Sequence, residues 1–208
     1  MRFPLAIIPA AGRGTRMLST ETPKCLLEVN GKPLIEHVVR FWAQHADRFA
    51  IVVAPGTVVD IGRAVDVTGL EWFPVCQPEP KGIADAVWRA RDLVVGGPFV
   101  VALADCLFRG TFVFPEPPFC GVAVQRRPTD DWGRSYAVRA DGDGKVCGII
   151  EKPALGLGAY FFGGRSYLGP MEGAQWDAHL EKIALRAVLF EGEYRNVNTP
   201  EDLGRWGH

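Results

Sequence analysis

A glycine-rich turn that carries two arginines follows the first apolar segment of the chain. The segment Leu5–Ile8 has the composition of a buried strand, and residues 9–16 read Pro-Ala-Ala-Gly-Arg-Gly-Thr-Arg. Glycine lets backbone N–H groups approach phosphate oxygens closely, and arginine adds charge and paired donors that suit phosphate. Lys24 follows eight residues after Arg16 and adds another positive charge. The spacing predicts a triphosphate-binding loop at the end of the first strand.

Two commoner phosphate-binding loops do not fit these residues. A Walker A loop needs a second glycine followed by lysine at a fixed spacing, which this segment lacks. The dinucleotide fingerprint needs glycine where the chain has Met17, and no acidic residue ends the second strand at Val53-Ala54-Pro55. The residues therefore exclude both of these classes.

Composition limits the class of protein and its partners. The chain has 208 residues and a formal net charge of −1, so no global charge attracts nucleic acid or an anionic membrane. Its 5 cysteines include no C-x-x-C pair and its 4 histidines are scattered, which argues against a disulfide framework and a zinc site. No apolar stretch approaches the roughly 18 residues of a membrane span, and residues 1–4 lack the long apolar run that is typical of a signal peptide. We expect a cytoplasmic protein with neither nucleic-acid nor membrane partners.

The first half of the chain alternates apolar, β-branched runs with segments that suit helices. This alternation predicts crossover connections and an α/β fold with a mainly parallel sheet. The expected strands are Leu5–Ile8, Ala50–Val53, Phe73–Val75, Phe99–Leu103 and Gly121–Val124, and the expected helices are Lys32–Ala46 and Ile83–Leu93.

The sequence changes in character near residue 115, where three prolines form a rigid connector. Beyond it, short strands joined by an Asp-Gly-Asp-Gly turn at 141–144 predict an antiparallel, lid-like unit. The whole chain is expected to form one domain with halves at 1–114 and 115–208. The expected elements are strands at Tyr136–Arg139, Val146–Glu151, Ala159–Phe162 and Ala187–Phe190, a helix at about Ala174–Ala184, and a closing helix that Thr199 and Pro200 begin.

The segment from Pro9 to Pro33 resembles the signature of the nucleotidyltransferases that make NDP-sugars from a nucleoside triphosphate and a sugar 1-phosphate. The resemblance implies a Rossmann-like, GT-A-like fold of three α/β/α layers, with a mainly parallel mixed sheet and a small antiparallel lid on the acceptor side. It assigns catalytic roles to Arg16 and Lys24, which would neutralise and bridge the reacting phosphates. The same resemblance assigns nucleotide binding to Ala10, Ala11, Gly12, Arg13, Gly14 and Thr15.

Later segments extend the resemblance to about residue 203. The segment 77–86 is similar to the one in which a glutamine and a glycine recognise a pyrimidine edge, which implies that role for Gln77 and Gly82. An amide both donates and accepts, so Gln77 suits uracil or thymine. The strand 100–104 looks like the family strand that precedes a catalytic, metal-binding aspartate, here Asp105. The family's late loop supplies a second metal ligand, which corresponds to Asn196 or Asn198.

The acceptor side is implied by the Glu-Lys-Pro element at 151–153 and the strand that follows it. By resemblance, Glu151 would accept hydrogen bonds from sugar hydroxyls and Lys152 would hold the sugar phosphate. Ala137 and Tyr160 would line the same pocket. The family chemistry is in-line attack of an acceptor phosphate on the α-phosphorus, and it implies Mg²⁺ on Asp105 as cofactor.

Three departures from the family pattern leave the acceptor open. Asn196 stands where many relatives have aspartate, Ala137 stands where the uridylyl and thymidylyl enzymes have glycine, and the chain is short for a hexose 1-phosphate enzyme. A CTP-dependent enzyme for phosphocholine or a phosphonate is therefore the alternative, and a non-catalytic nucleotide-binding relative is the second. Cys106 has no nearby histidine in the sequence and is interpreted as a packing thiol. We expect a monomer or a small homo-oligomer.

Overall fold

The computed structural model describes residues 1–12, 22–125, 136–151, 157–169, 175–204 and 206. Its helices are α1 (Leu34–Trp42), α2 (Val58–Asp66), α3 (Ile83–Arg89) and α4 (Trp176–Leu180), with 3₁₀ turns at Lys24–Leu26, Arg91–Leu93, Arg165–Tyr167 and Pro200–Leu203. The strands are β1 (Phe3–Pro9), β2 (Glu28–Val29), β3 (Lys32–Pro33), β4 (Ala46–Val53), β5 (Trp72–Cys76), β6 (Phe99–Ala102), β7 (Cys106–Val113), β8 (Cys120–Val124), β9 (Tyr136–Ala140), β10 (Val146–Glu151), β11 (Ala159–Phe162) and β12 (Leu185–Asn196).

An eight-stranded sheet runs through both halves of the chain in the order β5-β4-β1-β6-β11-β8-β12-β7. Strands β5, β4, β1 and β6 are parallel neighbours, β11 is antiparallel to both of its neighbours, and β12 pairs parallel to β8 and antiparallel to β7. Strands β9 and β10 form a separate antiparallel pair. The predicted fold class, a mainly parallel mixed sheet with a small antiparallel unit, is confirmed.

Alternate residues of the central strands supply two cores, one on each face of the sheet. In β1, Ala6 and Ile8 face the core that α1 and α2 cover, whereas Leu5 and Ile7 face the core that α3 and α4 cover. Trp42 of α1 is fully buried in the first core. Because both faces are covered, the strands read as nearly continuous apolar runs.

The loop between β1 and α1 departs from the expected helix at Lys32–Ala46. Lys32 and Pro33 pair with Glu28 and Val29 as a small hairpin, and Asn30 and Gly31 have φ values of 52° and 72° at its turn. An Asn-Gly pair favours this left-handed turn, so the helix begins only at Leu34. The hairpin joins the Lys24 turn to α1.

The second half differs more from the expected elements. The sequence pattern does not predict β7, and the expected strand Ala187–Phe190 is part of the twelve-residue β12. Gly110 and Gly192 face each other across these strands, where an added Cβ on Gly110 would lie 2.1 Å from the Glu191 carbonyl oxygen. The expected closing helix is the four-residue 3₁₀ turn Pro200–Leu203. The helix expected at about Ala174–Ala184 is the shorter α4, and the helix expected to end at Leu93 ends at Arg89.

Candidate active site

Three predicted site residues meet beyond the ends of strands β6 and β12. Lys24 Nζ donates to Asp105 Oδ2 at 2.6 Å and to Asn198 Oδ1 at 2.9 Å. The Lys24 and Asp105 side chains are only 16% and 27% exposed, so solvent screens this pair less than a surface pair. A single ammonium group therefore joins residues that are 81 and 174 positions away in the chain.

Each of these side chains is held by its own element. The 3₁₀ turn Lys24–Leu26 buries Cys25, whose thiol lies 3.9 Å from the Ala10 carbonyl oxygen, so Lys24 is tied to the end of β1. Asp105 lies at the turn between β6 and β7, and its carbonyl oxygen accepts from Val197 N at 2.8 Å. The β6–β7 turn and the end of β12 are therefore in direct contact.

A capping box holds the loop that carries Asn198. Asp202 Oδ2 accepts from the backbone N–H groups of Asn198 and Thr199 at 2.9 and 2.8 Å, and from Thr199 Oγ1 at 3.0 Å. Pro200 occupies the first position of the turn that follows, where its missing N–H costs nothing. Asp202 thus holds the backbone of Asn198, while the Asn198 side chain accepts a hydrogen bond from Lys24.

Cys106 packs behind Asp105 and is 1% exposed. Its Sγ lies 3.4 Å from Asp105 Oδ1 and 3.4 Å from the Tyr194 hydroxyl. Burial, followed by the negative charge of Asp105, raises the pKa of the Cys106 thiol well above its usual range. Burial also raises the pKa of Tyr194. A buried, protonated thiol suits packing and is a poor nucleophile.

The oxygen atoms of Asp105 and Asn198 form a donor set that fits Mg²⁺. Both are hard ligands, and both already face one positive charge, the Lys24 ammonium. Among the described residues no cluster of three His, Cys, Asp or Glu side chains stands ready to hold a metal. Mg²⁺ commonly uses one or two protein oxygens together with water and substrate phosphate, so a small donor set is sufficient.

Asn196 Oδ1, the other predicted ligand, is buried at the end of β12 and has no hydrogen-bond partner among the described residues.

The predicted phosphate loop follows the end of β1 in the sequence. Ala10 N donates to the Val52 carbonyl at 2.7 Å and continues the pairing of β1 with β4. Ala11 is buried, and Gly12 has open space where a Cβ would lie. The predicted residues Arg13, Gly14, Thr15 and Arg16 lie outside the described residues.

Gln77 lies directly after β5, at the same carboxyl edge of the parallel strands. Its side chain is buried, and Nε2 donates to Asp85 Oδ2 at 2.7 Å and to the Gly82 carbonyl at 3.1 Å. Gly82 has φ of 90° at the start of α3, a conformation that glycine adopts without strain. The two residues predicted to recognise the base are thus in contact with each other.

The predicted acceptor residues are distributed over the second half. Backbone pairing joins Ala137 of β9 to Ile150 of β10, and Glu151 to Tyr136. Lys152 lies outside the described residues. Tyr160 is 3% exposed on β11 and packs edge-on against Trp176, with ring centroids 5.1 Å apart. Their roles in acceptor binding stay predictions.

Sequence reasoning missed two residues that support the site, Asp85 and Asp202. The sequence spacing around each of them could have indicated its role. Asp85 lies four residues before Arg89 in a helical segment, the spacing of an ion pair on one helix face. Asp202 is three residues after Thr199, the spacing of a capping box.

A mostly parallel sheet with a cluster of lysine, carboxylate and amide side chains at its carboxyl edge is typical of α/β proteins that bind nucleotides. Residues 6–113 match the pattern of the MobA-like NTP transferase domain. The chain belongs to this family of NTP transferases, and the resemblance to nucleotidyltransferases is confirmed.

One curated relative is similar to nearly the whole chain. The bifunctional protein GlmU of Methanococcus maripaludis is 24% identical over 219 residues, which cover 95% of this chain and 52% of GlmU. A second GlmU, from Koribacter versatilis, is 30% identical over 74% of this chain and 34% of its own length. The chain therefore spans about half or less of the length of these relatives.

A solved structure supports the fold over almost its full length. The inositol-1-phosphate CTP transferase from T. maritima has a TM-score of 0.81 and 16% identity, with 97% of this chain and 92% of that chain covered. At this identity the likeness shows the fold. Within the described residues, no helix is both long and apolar enough to cross a membrane.

Proposed function

We propose that the protein is a Mg²⁺-dependent nucleotidyltransferase that transfers NMP from an NTP to a sugar 1-phosphate, releases pyrophosphate and forms an NDP-sugar. The observation that carries the proposal is the meeting of Lys24, Asp105 and Asn198 within a chain that matches the NTP transferase family over residues 6–113. A pyrimidine nucleotide, a cytoplasmic location, and a monomer or small homo-oligomer are parts of the same proposal.

On the donor side, backbone N–H groups of the glycine turn would hold the triphosphate, and Arg16 would neutralise its β- and γ-phosphates. Lys24 would move from Asp105 to the oxygens of the reacting phosphate, a short displacement for a flexible side chain. Gln77 and Gly82 would hold the base.

The chemistry needs positioning and charge neutralisation more than covalent help. An oxygen of the acceptor phosphate attacks the α-phosphorus in line, the bond from that phosphorus to the bridging oxygen breaks, and pyrophosphate leaves with the electron pair. Asp105 and Asn198 are the residues that would hold Mg²⁺. When bound there, the ion supplies charge that offsets the negative charge of the transition state.

A matrix of substrates tests the proposal. Pyrophosphate release is measured for UTP, dTTP, CTP, GTP and ATP, each with glucose 1-phosphate, N-acetylglucosamine 1-phosphate, inositol 1-phosphate, phosphocholine and 2-aminoethylphosphonate. We expect turnover with at least one sugar 1-phosphate and a pyrimidine nucleotide, and its loss when EDTA removes the metal.

Asp105→Asn keeps the size of the side chain and removes its charge, so we expect turnover to fall by about 100-fold or more. Asp47→Asn, at an exposed ion pair with Arg2, is the matched control and is expected to leave turnover unchanged. Turnover only with CTP and phosphocholine or the phosphonate contradicts the sugar acceptor. Nucleotide binding without any pyrophosphate release supports instead a non-catalytic relative.

A further inference from the structure

Gln77 belongs to a chain of three polar side chains, in which Gln77 and Asp85 are buried and Arg89 is partly exposed. Gln77 Nε2 donates to Asp85 Oδ2 at 2.7 Å, and Arg89 Nε donates to the same oxygen at 2.8 Å. Gln77 is 4% exposed and Asp85 is 2% exposed. A buried carboxylate is costly unless it is paired, so Arg89 supplies the charge that keeps Asp85 in place.

These contacts leave the Gln77 amide with a single orientation. A carboxylate and a backbone carbonyl only accept hydrogen bonds, and both Asp85 Oδ2 and the Gly82 carbonyl face the same atom of Gln77. That atom must be the nitrogen, because an oxygen there would meet two acceptors. Burial raises the pKa of Asp85, but hydrogen bonds from Arg89 and Gln77 together with the charges of Arg89 and Lys81 hold that pKa below its ordinary value.

The oxygen is then the polar atom of Gln77 that a ligand can use. Both hydrogens of Nε2 are engaged within the protein, and no described residue donates to Oε1. Gln77 follows β5 at the carboxyl edge of the parallel strands, where open α/β sheets bind their ligands.

We propose that Asp85 is a specificity-determining positioning residue, which holds Gln77 with its oxygen toward the nucleotide and so selects bases that carry a ring N–H. Uracil, thymine and guanine have such a group on their pairing edge. Cytosine and adenine present a ring nitrogen that only accepts, and its lone pair would face Gln77 Oε1. This inference rests on the proposed function only in that a nucleotide base lies at Gln77.

The first test uses the unaltered protein and needs no turnover. Dissociation constants are measured by calorimetry in Mg²⁺ for UTP, dTTP, GTP, CTP, ATP and 3-methyl-UTP, which lacks the ring N–H. We expect the best ring N–H nucleotide to bind at least about tenfold more tightly than CTP and ATP, roughly the effect of one hydrogen bond. If UTP is that nucleotide, 3-methyl-UTP should bind at least about tenfold more weakly than UTP. If GTP is that nucleotide, 1-methyl-GTP is measured instead and should bind at least about tenfold more weakly than GTP.

The second test is Asp85→Leu, which keeps the approximate shape of the side chain and removes both acceptor oxygens. The Gln77 amide is then held only by the Gly82 carbonyl, so it can turn and present its nitrogen to the base at the cost of one hydrogen bond. We expect the affinity ratio of the best ring N–H nucleotide to CTP to fall by about tenfold, with CTP losing less affinity than the ring N–H nucleotide. Asp60→Leu makes the same change at an exposed ion pair on α2 and should leave the ratio unchanged.

The outcomes separate this inference from the proposed function. Three results would overturn the inference: an equal loss of affinity for all nucleotides in Asp85→Leu, an unchanged affinity ratio in that variant, or tight binding of 3-methyl-UTP. The absence of any nucleotide binding would overturn it as well. If the preferences hold and no pyrophosphate is released, the proposed function fails and the inference stands. If Asp85→Leu does not fold, the methylated nucleotides still decide whether a ring N–H is recognised.

Discussion

Lys24 occupies the position that a cation would take between Asp105 and Asn198. The ammonium satisfies two oxygens that would otherwise face each other beside the buried Cys106 thiol. In the proposed reaction the same side chain must leave them when metal and triphosphate arrive. Lys24 therefore balances the charge of Asp105 in this structure, and in the proposed reaction Lys24 and a metal would compete for the same oxygens.

Lys24→Met tests both proposed roles of Lys24, which are to balance the charge of Asp105 before metal binds and to contact the reacting phosphate. We expect turnover to fall by about 100-fold or more, because the reacting phosphate loses its positive partner. We also expect Mn²⁺, used as a spectroscopic stand-in for Mg²⁺, to bind the free variant about tenfold more tightly than it binds the unaltered protein. Electron paramagnetic resonance of Mn²⁺ measures the second quantity without any turnover.

Lys32→Met is the control, because Lys32 is 51% exposed and pairs with Glu36 at 3.5 Å, away from Asp105. It should alter neither turnover nor Mn²⁺ binding. Weaker Mn²⁺ binding in Lys24→Met would mean that Lys24 supports the metal site and does not compete for it.

The sequence predicts which residues take part in the site better than it predicts which residues contact and support them. Lys24, Asp105 and Asn198 are expected to act together, and the structure brings them within hydrogen-bond distance. Sequence reasoning misses the role of Asp85 because its contact with Gln77 depends on how α3 packs beside the end of β5. Such a contact spans only eight positions in the chain but is set by tertiary structure.

At the scale of elements, the loop after β12 determines where Asn198 lies. Asp202 binds the backbone of Asn198 and Thr199, and Val197 N binds the carbonyl of Asp105. A change in this loop therefore acts on the site through position, without removing a group that touches substrate.

Asp202→Ala tests this positioning role. Loss of a capping side chain typically costs about 1 kcal/mol, which for a chain of this length lowers Tm by about 2–4 °C. We expect kcat to fall by about tenfold while KM for the nucleotide changes less, because Asn198 loses its fixed orientation. Asp60→Ala in the first turn of α2 is the matched control. Equal loss of kcat in the control would show a general effect of stability.

The strands that sequence reasoning misses are those that form because they pair with a neighbouring strand, and not because their residues are apolar. β7 and the second half of β12 contain charged and glycine residues, such as Arg109, Glu191 and Gly192, that are not typical of buried strands. They form strands because they pair with each other along the edge of the sheet. The inner strands β1, β4 and β6 are predictable because burial on both faces requires apolar residues throughout.

At the scale of the whole molecule, four groups make stability depend on pH in the same direction. Burial lowers the pKa of His45 and of His179. Burial raises the pKa of Glu36 and Asp85, but ion pairs and hydrogen bonds, above all with Arg40 and Arg89, outweigh it and lower both. Because each folded pKa lies below the unfolded value, the unfolded chain binds more protons as pH falls.

The free energy of unfolding should therefore fall in two stages as the pH is lowered. The first stage begins near pH 6.5, the ordinary pKa of histidine, and the second begins near pH 4.5, where unfolded carboxylates take up protons. Above about pH 6.5 neither of these losses occurs. The free energy of unfolding is therefore expected to stay constant there until other groups titrate.

His45→Phe tests the first stage. His45 Nε2 is buried with no partner among the described residues, and its ring lies 5.5 Å from the Phe41 ring and 5.6 Å from the Phe112 ring. Replacing it removes a buried unsatisfied nitrogen but also the hydrogen bond between the His45 ring and the Met1 backbone. These two effects are each about 1 kcal/mol and opposite in sign, so Tm at pH 7 should change by less than about 4 °C. The Tm of the variant relative to the unaltered protein should rise between pH 7 and pH 5.5, because only the histidine protein loses stability there through residue 45.

His37→Phe is the matched control, since His37 Nε2 bonds to the Val29 carbonyl at 2.7 Å and its replacement leaves that oxygen without its partner. We expect His37→Phe to lower Tm at pH 7. Thermal unfolding followed by circular dichroism at pH 7, 6.5, 6 and 5.5 measures all three proteins. A difference between His45→Phe and the unaltered protein that stays constant with pH would mean that His45 does not titrate on unfolding in this range, and the first stage would then rest on His179.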